Sequence, residues 1–162
     1  MRVLVFGASS QIGHFLLPRL RERGADVVAV SRRARDGAGV TWLRGDLPHD
    51  VPAIGEIAAI VSFGPLQGLA DWLLGATFEG APRVIATSSM SAESKRESAV
   101  PAERALSRQL RDAEAALAAI CERRGCAWTV FRPTLVYGAG LDKSLTPIAR
   151  RAVRTRVFPL PA

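Results

Sequence analysis

Cysteine, lysine, tyrosine and long apolar runs are all scarce in this chain. Two cysteines, Cys121 and Cys126, stand in 162 residues. They straddle the end of a predicted helix, and no second Cys or His pair accompanies them, which argues against a zinc site. Two buried free thiols in a reducing cytosol is the plain reading. No stretch approaches the roughly 18 consecutive apolar residues of a membrane span. Arg2 leads straight into a strand pattern without a cleavage site, so neither a membrane helix nor a signal peptide is expected. His14 and His49 are lone histidines and suit surface or capping roles. One Tyr and three Trp leave little for base stacking, and none lies in a basic cluster. The net charge of +7 therefore does not imply a nucleic-acid partner. Arg150, Arg151, Arg154 and Arg156 supply +4 of it with no acid near them, as a solvated basic helix face would. Twenty of the 22 basic residues are Arg, a compositional bias.

What is present is a 48% apolar composition, enough for one domain with a sizeable core and too much for disorder. The chain opens M-R-V-L-V-F-G-A-S-S-Q-I-G and runs straight into an amphipathic segment. Arg2–Phe6 is the short apolar run of a strand buried on both faces. Gly7 permits a tight turn and Gly13 lets the following helix pack close to the strand. The first N–H groups of that helix have no intrahelical acceptor and carry the positive end of its dipole, so a pyrophosphate fits there. Gly7, Ser9, Ser10, Gln11, Ile12 and Gly13 are thus candidate dinucleotide-binding residues.

Apolar runs recur with helical patterns between them. Strands are expected at Arg2–Phe6, Asp26–Ser31, Val40–Arg44, Ala59–Phe63, Arg83–Thr87 and Ala127–Phe131. Their alternation with helices implies an α/β fold: a Rossmann-type doubly wound parallel sheet of about six strands in a single domain, with its cofactor crevice at the strand carboxyl ends. The first helix carries Ile12, Leu16, Leu17 and Leu20 on one face and stops at Gly24, with Pro18 expected to kink it. Leu66–Leu74 is a shorter helix. A long one runs from about Pro101 to Arg124, with Leu106, Leu110, Ala113, Leu117 and Ile120 on one face. Ser88–Val100 is polar and reads as a long loop, and nothing after Thr146 forms a second domain.

Five features in order carry a resemblance: the Gly7–Gly13 turn, G-D-L at Gly45–Leu47, T-S-S at Thr87–Ser89, the long helix, and R-P-T-L-V-Y-G at Arg132–Gly138. With them the chain resembles the extended short-chain dehydrogenase/reductase superfamily. It is most similar to the NAD-dependent epimerase/dehydratase group, which includes nucleoside-diphosphate-sugar epimerases. The resemblance implies an NAD(P)-binding domain over residues 1–162 and a nucleotide sugar as substrate. It puts Asp46, with Leu47 beside it, against the adenine, Pro133 at the cofactor, and Ser88 or Ser89 at a substrate hydroxyl. The residue readings beside these are a turn or capping role for Asp46 and ordinary polar positions for the two serines. Ser62-Phe63-Gly64-Pro65 ends the fourth strand, where Phe63 and Gly64 either approach the cofactor or simply turn the chain. Arg32 and Arg33 follow the second strand, where an acid would bond a ribose 2′-hydroxyl. An Arg pair suits a 2′-phosphate instead, so NADP is expected over NAD, a solvated turn being the alternative.

Two departures from the family pattern bear on activity. Its phosphate turn usually has glycine at Ser10 or Gln11, and this chain has neither. Its chemistry uses Tyr-x-x-x-Lys on the long helix, and the family spacing from Gly125 and from Arg132 sets that pair at Leu106 and Leu110. Neither Leu can move a proton, and the one tyrosine, Tyr137, is in the wrong loop to replace it. The family's substrate-binding part follows the Arg132–Gly138 loop, and only about two dozen residues remain here. A truncated or naturally minimal chain is expected on that ground. Two readings stand: an epimerase or reductase with its Tyr-Lys pair missing, or a redox-inactive dinucleotide-binding sensor or interaction protein. Both are cytoplasmic.

Overall fold

The computed structural model describes residues 1–37, 39–142 and 144–158. Six strands form one parallel sheet: β1 (Arg2–Phe6), β2 (Asp26–Ser31), β3 (Thr41–Arg44), β4 (Ala59–Ser62), β5 (Arg83–Thr87) and β6 (Trp128–Phe131). Their spatial order is β3-β2-β1-β4-β5-β6. The chain works outward from β1 in one direction, returns, and works outward in the other. The reversal between β1 and β4 opens a crevice at their carboxyl ends, the Rossmann arrangement.

Parallel strands need both faces covered, and the side chains of β1 divide accordingly. Leu4 and Phe6 join Val28, Val30, Ile60 and Val84 on one face. That face is covered by α2 (Leu66–Gly75) and α4 (Pro101–Arg123) through Leu69, Leu73, Leu117 and Ile120. Val3 and Val5 join Val27, Ala29 and Val61 on the other face, against Leu16, Leu17 and Leu20 of α1 (Gln11–Glu22). Register is in step across the centre of the sheet: Val5 pairs with Ala29 on β2 and with Val61 on β4.

Several details differ from the sequence expectation. α1 runs through Pro18 as one helix, with the Arg19 guanidinium donating to the Phe15 carbonyl at 2.8 Å. The stretch expected as a loop after β5 holds a single helical turn, α3 (Ser91–Ser94), pinned to α4 by the Ser107 hydroxyl donating to the Ala92 carbonyl at 2.7 Å. That contact also takes over the core-facing row of α4. Ala113, Leu117 and Ile120 are buried as expected, but Ser107 is the buried residue near the helix start, while Leu106 is 41% exposed. A final helix, α5 (Leu145–Thr155), has no buried residue. Cys121 and Cys126 are buried free thiols. Burial pushes the Cys121 thiol up to about 11, which keeps it protonated and a poor nucleophile.

Candidate functional site

The turn from β1 into α1 is built by close approach. Gly7 has a φ of 69°, and a Cβ there would sit 3.0 to 3.2 Å from Phe63 and Gly64 atoms of the β4 end. At Gly13 a Cβ would fall 2.0 Å from the Ala8 carbonyl oxygen, so only glycine lets α1 lie this close to its own strand. Ser10 caps the helix: its Oγ accepts from the Gly13 N–H at 3.2 Å. The Ser10 hydroxyl proton stays available as a donor. The first-turn N–H groups of Gln11 and Ile12 have no helical acceptor and face outward at the positive end of the α1 dipole.

A cleft of about 920 Å³ opens at this turn, at the upper end of the range for ligand pockets. Gly7, Ser9 and Ser10 line it from the turn, Arg32 and Arg33 from the β2 end, Asp46 and Leu47 after β3, and Phe63 and Gly64 after β4. The fold thus brings into one wall nine residues picked from four separate sequence segments. Gln11, Ile12 and Gly13 lie in the adjoining helical turn. The Cβ position of Gly64 has nothing nearer than 3.7 Å, so the protein's own packing does not require a glycine there. Asp46 pairs backbone to backbone with Asp50 in a small loop bridge, with its side chain exposed. A separate hollow of about 390 Å³ beneath α2, with His49 and Asp71 among its lining residues, contains none of these groups.

The remaining candidates stand off the cleft wall. Ser88 and Ser89 follow β5: the Ser88 N–H donates to the Phe131 carbonyl at 2.7 Å, and the Ser89 Oγ accepts from the Ser91 N–H at 3.2 Å. The Ser88 hydroxyl is buried beside the Glu114 carboxyl, whose charged form it favours. Pro133 accepts from the Met90 N–H at 3.0 Å, tying the loop after β6 to the loop after β5. Tyr137, in that same loop, is 64% exposed. Leu110 is half-buried one turn beyond Leu106.

Four contacts were not foreseen from the residues. The Arg132 guanidinium grips both oxygens of Glu114 on α4, with Nε at 3.0 and 3.1 Å, and reaches Glu93 with Nη1 at 3.1 Å. Arg132 holds the Glu114 carboxyl below its ordinary value. The Gln11 side chain donates to the Gly138 carbonyl at 3.0 Å, so the start of α1 holds the far loop directly. Asp142 accepts from the hydroxyl and the N–H of Thr146, which with Gly138 and Ser144 hold it below the usual carboxylate range and cap α5. Arg35 joins Arg32 and Arg33 on the cleft wall; the run S-R-R-A-R was the available signal. Among the described residues no group of three His, Cys, Asp or Glu is disposed to hold a metal.

Neither a protein-family model nor a curated protein matches the sequence. Among solved structures, MoeE5 in complex with UDP-glucose and NAD is 23% identical, with a TM-score of 0.71 over 96% of this chain and 62% of MoeE5. A dTDP-glucose 4,6-dehydratase from Bacillus anthracis, in complex with NAD, is 12% identical with a TM-score of 0.69 over 100% of this chain and 64% of that one. An oxidoreductase from Lactococcus lactis is 14% identical, with a TM-score of 0.59 over 96% of this chain and 85% of its own. The chain therefore spans less than two thirds of the length of the first two. Strand order, turn geometry and these likenesses together give the chain the Rossmann-type α/β fold found in nucleotide-sugar epimerases, dehydratases and oxidoreductases.

Proposed function

We propose that this chain is a nicotinamide-dinucleotide-binding protein of the epimerase/dehydratase group of extended short-chain dehydrogenases, that it takes NADP in preference to NAD, and that its Tyr-dependent chemistry is disabled. The carrying observation is the single cleft at the sheet's switch point. It joins a glycine-built helix N-terminus, a cluster of arginines at the β2 end and the loops after β3 and β4. These residues fit the cofactor: the α1 N-terminus is open to an anion at the cleft wall, and Gly64, whose Cβ position has no protein atom nearer than 3.7 Å, leaves room beside it. A bound nicotinamide would supply a hydride acceptor or donor. The Gln11 and Ile12 N–H groups and the Ser10 hydroxyl would hold the pyrophosphate, Arg32 and Arg33 the 2′-phosphate, and Asp46 with Leu47 the adenine. Ser88 and Ser89, at the β5 end, would meet a substrate hydroxyl. A nucleotide sugar is the substrate class in view, because MoeE5 binds UDP-glucose beside NAD in the same fold.

No proton relay stands at Leu106 and Leu110. An acid–base group is typically worth about 10² to 10⁴ in rate, and the usual hydride or epimerase turnover is reduced by at least that. The exposed apolar Leu106 favours a second reading, a redox-inactive dinucleotide sensor or interaction protein. Calorimetry with NADPH and NADH, followed by turnover assays with UDP-glucose, tests both. NADPH should bind more tightly by about 1–3 kcal/mol, with negligible turnover that Leu106→Tyr with Leu110→Lys partly restores. Failure to bind either dinucleotide ends the proposal, and robust turnover by the unaltered chain ends the claim of disabled chemistry.

A further inference from the structure

Among the described residues, α5 is the one helix without a buried residue. Its hold on the domain is polar and sits at its start: Asp142 accepts from the Thr146 N–H at 2.8 Å and from the Gly138 N–H at 3.2 Å. The helix is nonetheless two-sided. At the 3.6-residue period Leu145, Ile148, Ala152 and Val153 fall on one side, and Arg150, Arg151 and Arg154 on the other. Val153 is 83% exposed, and the chain leaves the helix through Arg156 into exposed Val157 and Phe158. From Leu145 to Phe158 there is no acid. Among the described residues none of the four arginines is in an ion pair, and the acid nearest in sequence, Asp142, is engaged in the cap.

We propose that α5 docks on an anionic lipid surface, lying in its plane with Ile148 and Val153 below the headgroups and the arginines within reach of the headgroup charge. A short helix with an apolar side, a basic side and no acid matches such a surface in both respects. Charge complementarity selects this occupant. Nucleic acid would meet the arginines and leave Ile148, Val153 and Phe158 in water. A second copy, laid apolar side to apolar side, would bring two acid-free arginine rows to the rim of one contact. An anionic bilayer takes the apolar side and the positive charge together.

The test is co-sedimentation of the full chain with vesicles of phosphatidylcholine alone and of phosphatidylcholine and phosphatidylserine in equal parts. The chain should bind the mixed vesicles and not the neutral ones, and added salt should weaken binding. Replacing Arg150, Arg151 and Arg154 together by Ala should weaken it about a hundredfold, at about fivefold for each arginine near the surface. Ile148→Gln with Val153→Gln leaves the charge unchanged and should still weaken it by about tenfold or more. All five side chains are exposed, so the variants keep the fold, and unchanged melting temperatures check this. Absence of binding to the mixed vesicles, or equal binding to the neutral ones, overturns the proposal. So does binding that survives the Gln pair intact, because charge alone then carries it. Tighter binding to duplex DNA than to the mixed vesicles gives the face to nucleic acid instead, and a dimer in sedimentation equilibrium that the Gln pair dissolves gives it to a second copy. The cleft takes no part in these measurements, so their failure leaves the dinucleotide reading standing.

Discussion

Arg132 opens the R-P-T-L-V-Y-G motif, and its side chain clamps the β6 loop to two helices. Nε and Nη2 engage Glu114 on α4, and Nη1 engages Glu93 on α3. The Glu114 side chain is only 11% exposed, so the pair is screened less than a surface bridge. The Glu114 carboxyl titrates below its ordinary value because the charged form is bonded to Arg132. A carboxyl whose folded pKa is depressed contributes stability that is complete above its unfolded pKa, an ordinary value of 4.5 here, and lost as pH falls toward the folded pKa. Thermal melts from pH 7 down to pH 3 should show that loss. Glu114→Gln should lower stability at pH 7 by about 1–3 kcal/mol and make the acid decline shallower. An unchanged acid decline would remove Glu114 from the account. Leu106 and Leu110, where the proposed function leaves out a proton relay, are apolar side chains, one exposed and one half-buried.

The β1–turn–α1 unit depends on one missing methyl group. Gly13→Ala puts a carbon 2.0 Å from the Ala8 carbonyl oxygen, so α1 must move off its strand. Overpacking of that kind costs about 1–3 kcal/mol. The displaced helix start should also lose dinucleotide affinity, which calorimetry reads directly. Gly75, the last residue of α2, is the control: a Cβ there meets nothing within 4 Å, and Gly75→Ala should hold stability or raise it slightly. Equal melting temperatures for the two variants would refute the close-approach argument. Elements also join through side chains. The Gln11 contact to Gly138 and the Pro133 contact to Met90 tie the long loop after β6 to the turn and to the β5 end. That loop then passes through Asp142 into α5.

Across the whole molecule the charge is uneven. Arg150, Arg151 and Arg154 lie on α5, opposite its apolar Leu145, Ile148 and Ala152, and none of its residues is buried. No helix among the described residues is long and apolar enough to cross a membrane. The basic face is separate from the cleft, whose arginines project from the β2 end. DNA or RNA binding should therefore be weak, independent of sequence, and steeply reduced by salt. Fluorescence titration with duplex and single-stranded oligonucleotides at low and physiological salt checks this. Sub-micromolar, sequence-dependent affinity at physiological salt would reverse it. The strand order brings loops from four distant segments together at the β1–β4 reversal.

By itself the sequence determined the α/β class, the six strands to within a residue or so at their ends, and the glycine-built turn after β1. All of these follow from local rules. A run of β-branched residues, a glycine where a Cβ cannot fit and a 3.6-residue period are visible without knowing what lies opposite. Tertiary structure decided which faces and side chains meet. Periodicity groups Leu106 with Leu110 and Leu117 on α4, but the packing of α3 makes Ser107 the buried residue and leaves Leu106 in solvent. Arg35 finds Trp42 because the segment after β2 folds back over β3. Arg132 finds Glu114 because β6 ends beside α4, and Gln11 reaches Gly138 across 127 residues of chain. A side chain's partner is set by the relative placement of elements far apart in sequence, and that placement comes from the packing of the whole core, which no local pattern encodes.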